Sequence, residues 1–124
     1  MAAGDSMRVE VDCNPFVPEL HLFHSRKKHM RFCDKAFGGH SDMGTCAQTD
    51  CDGEVAAVLF DPSYSTDLAS DFAMLAHEAY HVACMRLKYL SEDDYGEETM
   101  AYLVQVISGT LCEAHMRWLG RKEG

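Results

Sequence analysis

The stretch DLASDFAMLAHEAYHVACMRLKYL, residues 67–90, has the clearest single period in this chain. At 100° per residue, Leu68, Phe72, Leu75, Ala79, Val82 and Ala83 fall in one broad apolar stripe, which predicts an amphipathic helix over residues 67–90. Ser65 and Thr66 are candidate N-caps, and Asp67 and Asp71 stand where the helix dipole favours acids. The stripe is expected to pack on a sheet. Ala73, Met74, His77, His81 and Cys84 on the other side are too apolar for a fully solvated face, so a second packing partner is expected there.

Working outward, residues 54–60 form a near-continuous apolar run closed by Asp61-Pro62 and predict a strand. Residues 7–11 and 19–23 alternate polar and apolar side chains, with Pro15 and Pro18 marking their connection, and residues 28–32 are expected to continue the same meander. Residues 38–53 are rich in Gly, Ser, Asp, Thr and Cys and predict a long irregular loop. After a polar break at residues 91–96, a second helix is expected over 97–119. Glu98, Ala101, Tyr102, Gln105, Gly109, Cys112 and Met116 share one of its sides, and Gly109 is expected to let the two helices approach closely. The sum is one α+β domain over residues 1–124, with a strand- and loop-rich half (1–53) and a core (54–119). A small antiparallel sheet packs on two helices.

Composition bounds the function. A 124-residue chain that is 47% apolar can bury a real core without staples. None of its apolar runs approaches the roughly 18 residues of a membrane span, and residues 1–6 have neither the basic nor the apolar region of a signal peptide. A cytoplasmic protein with no membrane partner is expected. The net charge of -9 is uneven: residues 1–40 carry six bases and five acids, residues 41–124 five bases and fifteen acids. An acidic bulk repels phosphate, so no nucleic-acid partner is expected, and the basic strip at residues 24–31 reads as a solvated hairpin. The six cysteines include no Cys-x-x-Cys pair. Without a leader they read as reduced thiols or metal ligands. Cys33, His40, Cys46 and Cys51 are candidates for a second zinc in the long loop, although their spacing fits no common finger; a Cys46 to Cys51 disulfide or plain thiols are the alternatives.

The chemistry lies inside the first helix, at His77-Glu78-Ala79-Tyr80-His81. Residues i and i+4 stand one turn apart on one face, so two imidazoles at this spacing can hold one zinc ion. Glu78 is rotated about 100° from His77, beside the ion and not on it, where it can take a proton from water. A catalytic zinc has three protein ligands and an open position. Glu98, 17 residues after His81 at the start of the next helix, is the candidate third ligand, with Glu97 as runner-up. A six-residue break reaches about 20 Å, enough to return to the metal. Cys84, three residues after His81, is a rival donor; four protein ligands would make the zinc structural. Tyr80, Tyr95, Tyr102, His40 and His115 are candidates to steady a developing oxyanion.

The string His77-Glu78-x-x-His81, followed by Glu98-Thr99-Met100-Ala101-Tyr102, resembles the gluzincin pattern H-E-x-x-H then E-x-x-A, as in small phage- or mobile-element-encoded metallopeptidases. ImmA/IrrE-type peptidases share the core motif, with Asn usual where this chain has Tyr102. The resemblance covers residues 54–119. It implies a minimal zincin-like domain in which His77, His81 and Glu98 bind Zn2+ and Glu78 is the general base, acting on a peptide or protein in a host cytoplasm. It also implies that the strand at residues 54–60 is the edge along which an extended substrate lies. The alternative is a zinc-stabilised binding protein that sequesters a host or phage regulator and cleaves nothing.

Overall fold

A computed structural model describes residues 8–13, 16–40, 44–90 and 96–123. The expectations for residues 1–7, for Pro15 and for most of the 91–96 break fall outside these. Besides a short 3-10 turn at Pro62–Tyr64, seven strands and α-helices follow in order: β1 (Arg8–Cys13), β2 (Val17–Phe23), α1 (Arg26–Phe37), β3 (Ala47–Cys51), β4 (Val55–Phe60), α2 (Leu68–Tyr89) and α3 (Glu97–Glu123). The fold is α+β, as expected, with three helices among the described residues where two were expected.

The four strands stand in the order β1-β2-β4-β3. β1 runs antiparallel to β2 and β3 antiparallel to β4, but β2 and β4 are parallel, pairing Leu20 with Ala56 and Leu22 with Val58. The sheet is therefore mixed, which corrects the antiparallel expectation. Parallel neighbours need a long crossover. The chain between β2 and β4 supplies it through α1 and β3.

Residues 28–32, expected as a strand, belong to α1. Ser25 caps this helix by accepting from the Lys28 N–H, and Gly38 ends it at φ 79°, its N–H returning to the Asp34 carbonyl at 3.1 Å. The basic strip is thus no solvated hairpin: His24 and His29 are both buried. The expected loop at residues 38–53 contains β3, a short polar strand whose N–H and C=O groups find partners on β4.

The sheet is covered on both faces. Leu20, Leu22, Ala56, Val58 and Phe60 pack with Leu75, Ala79, Val82, Ala83 and Leu87 of α2 and with α3, while Phe23, Ala57 and Leu59 pack on Cys33 of α1. Burial on both sides accounts for the unbroken apolar run of β4. The predicted α2 stripe holds, apart from Leu68, which is exposed. The cap is Asp67, accepting from the Ser70 N–H at 2.8 Å, and not Ser65 or Thr66.

α3 presents the opposite side from the one expected. Leu103, Ile107, Leu111, Ala114, His115 and Trp118 face inward, whereas Glu98, Ala101, Tyr102, Gln105, Gly109 and Met116 are exposed. Nothing stands within 4 Å of where a Gly109 Cβ would be, so this glycine has no part in helix approach.

A buried polar chain ties the layers together. His115 Nε2 lies 2.9 Å from Asp71 Oδ2, and His115 Nδ1 lies 2.9 Å from His24 Nε2. Ser65 donates to the same Asp71 oxygen, and the His24 ring stacks on Trp118 at 3.9 Å. At the far end of α2, Arg86 donates to the carbonyls of Phe16 and Gly53. Gly53 turns at φ 102°, where a Cβ would run into the Tyr89 side chain. Among the described residues, no helix is long and apolar enough to cross a membrane.

Candidate metal centre

α2 turns His77 and His81 away from the core and toward β3. Both rings are exposed, and their Nε2 atoms stand 3.3 Å apart. Two nitrogens held about 2.0–2.1 Å from one tetrahedral zinc are themselves about 3.3 Å apart. The pair is thus spaced as ligands of one ion, and 3.3 Å is long for a direct N–H···N bond. The fit follows from the helix: at i and i+4 neither ring needs to leave its own face.

Glu78 is buried at the floor of this site, where its Oε1 accepts a 2.6 Å hydrogen bond from the Thr49 hydroxyl of β3. Strand alternation explains the meeting: Thr49 pairs with Val58 and shares its sheet face toward α2, while Gln48 and Asp50, paired with Leu59 and Ala57, turn toward α1. His77, Glu78, His81 and Cys84 line one wall of a cleft of about 640 Å³, and Ala47–Cys51 line the other. The second partner expected for the outer side of α2 is therefore an open cleft walled by β3. β4, expected to be the edge strand, is central; β3 is the edge beside the histidines.

Glu98 does not join them. It lines a separate cleft with Phe16, Arg86, Leu87 and Tyr102, at the C-terminal end of α2. Leu87 is six residues beyond His81, or about 9 Å along the helix axis. A six-residue break permits the reach, but α3 packs against α2 through a face that leaves Glu98 outside. Glu97, also exposed, begins the same turn. Of the oxyanion candidates, Tyr80 is exposed with its ring 6.3 Å from His81, Tyr102 lies in the other cleft, His115 is fully buried, and His40 Nδ1 sits 2.6 Å from Asp34. Tyr95 is outside the described residues.

Nor do Cys33, His40, Cys46 and Cys51 converge. Cys33 is buried against α1's side of the sheet and Cys51 packs on the α2 side. The described cysteines 33, 46, 51, 84 and 112 are free thiols, so Cys46 and Cys51 are not bridged. Burial pushes the Cys51 thiol up to about 11, helped by the charges of Asp50 and Asp52.

Among the described residues, one group of three His, Cys, Asp or Glu side chains brings its ligand atoms within 4.8 Å of one another: His29, Cys33 and Asp50, which could hold a metal ion. The sequence carried a signal for it, since His29 and Cys33 are i and i+4, but that spacing has meaning only on a helix. Reading residues 28–32 as a strand hid it.

No family model matches the chain, and comparison with curated proteins and with solved structures gave no match.

Proposed function

We propose that this chain is a zinc-dependent hydrolase, a metallopeptidase that uses His77 and His81 as two of the ion's ligands and Glu78 as its general base. The observation that carries this reading is the 3.3 Å spacing of the two imidazole nitrogens, in an open cleft with Glu78 against its floor. A bound zinc would supply Lewis-acid polarisation of a carbonyl and an acidified water. Glu78 accepts the proton of the attacking water and returns it to the leaving amine. Thr49, donating to Oε1, fixes the carboxylate's direction. The free edge of β3 suits a peptide or protein substrate lying extended along the cleft, which would add a strand to the sheet. No nucleic-acid or membrane partner enters this reading, and a host cytoplasm is its proposed setting.

Glu98 has no part in the ligand set proposed, because it lines the other cleft. Cys84 lines the same cleft and leads to one rival: its thiol closes on a zinc held by His77 and His81, and the chain sequesters a host or phage regulator and cleaves nothing. Two substitutions separate the readings. In the hydrolase, Glu78→Gln keeps its metal and loses at least about a hundredfold in cleavage of a mixed peptide library, and Cys84→Ser keeps both metal and cleavage. In the rival, no cleavage is seen with any variant, and Cys84→Ser loses its metal.

A further inference from the structure

We propose that His29, Cys33 and Asp50 form a second, buried site for a borderline-soft divalent metal ion of the zinc type, which clamps α1 to the edge strand β3. The site is independent of the His77 and His81 cleft and would stand if that reading failed.

The donor spacing carries the proposal. A tetrahedral zinc with Zn–N near 2.05 Å, Zn–O near 2.1 Å and Zn–S near 2.3 Å sets nitrogen about 3.4 Å from oxygen and about 3.6 Å from sulfur. His29 Nε2 lies 3.3 Å from Asp50 Oδ2 and 3.7 Å from Cys33 Sγ. The Ala57 carbonyl oxygen, 3.1 Å from the same nitrogen, offers a fourth donor. One helix turn supplies the imidazole and the thiol, and the strand facing that turn supplies the carboxylate. His29 and Cys33 are 1% and 0% exposed, so these two donors are already desolvated and held by packing against Phe23 and Phe32. A mixed N, S, O set suits zinc or cobalt and not calcium or magnesium.

Burial holds the His29 imidazole below its ordinary value, hence neutral and ready to ligate. Burial and the Asp50 charge push the Cys33 thiol up to about 12, so without an ion it stays protonated and donates to Asp50. Binding releases that one proton to solvent and forms the metal–thiolate bond, while the imidazole proton moves from Nε2 to Nδ1. The consequence reaches the cleft, because β3 carries Asp50 on one face and Thr49, the partner of Glu78, on the other.

The test is a cobalt titration of the metal-free full chain carrying His77→Ala and His81→Ala. One Co2+ per chain should bind and give a near-ultraviolet sulfur-to-cobalt band. Adding Cys33→Ser should abolish the band and adding Cys84→Ser should leave it. Absence of the band in the parent, or its survival in Cys33→Ser, overturns the proposal. If the Cys33→Ser chain does not fold, Asp50→Asn takes its place: at least a tenfold loss of cobalt affinity supports the site, and unchanged affinity overturns it.

Discussion

The decisive atoms are few. His77 and His81 owe their meeting to helix geometry alone, and any helix over residues 68–89 would set them on one face. Glu78 is different, because its role depends on Thr49, 29 residues away on an edge strand. His29 gives a pH prediction at this scale. Burial lowers its pKa in the folded chain from 6.5, so below that pH the unfolded chain takes up a proton that the folded chain resists. The resulting stability is complete above about pH 6.5 and is lost as pH falls toward the folded value. Urea midpoints of the metal-free chain at about pH 7.5 and about pH 5.5 should therefore differ more for the wild type than for His29→Gln. Equal differences would remove His29 from the balance.

At the level of elements, each helix has its own anchor. α3 is held by apolar packing and by His115, which reaches Asp71 of α2 and His24 after β2. His115→Ala leaves the Asp71 carboxylate buried with the Ser65 hydroxyl, at a cost of about 3 kcal/mol or more in denaturant unfolding. A cost under about 1 kcal/mol would show the chain to be incidental. Glu98 gives the opposite forecast: Glu98→Gln should leave metal content unchanged, since it lines the other cleft, and loss of metal would restore it as a ligand.

The same elements mark what the sequence could tell. α2 was legible to within a residue at each end because its 3.6-residue period persists over six turns. α1 was not, because His29-Met30-Arg31-Phe32 alternates like a strand over four residues. The inward-facing set, buried His29 and Cys33 with partly buried Phe32 and Phe37, emerges only over a longer window. β3 was hidden by its polar Gln-Thr-Asp centre, ordinary for an edge strand but close to loop composition. For Glu98, the break length bounded a distance and left the direction to helix packing. That His77 and His81 share one helix face was legible; the meeting of Glu78 with Thr49, and the third donor of any second site, required tertiary structure.

For the whole molecule, a small mixed sheet with helices on both faces brings two candidate metal groups to one edge strand, one on each side. The cleft between α2 and β3 is the proposed substrate surface. The most direct measurement of the central claim is zinc content per chain, by elemental analysis after equilibration with zinc and desalting, for the wild type and for His77→Ala with His81→Ala. The double variant, with its circular dichroism unchanged, should carry one zinc ion fewer per chain. Equal zinc in the two proteins would contradict that claim.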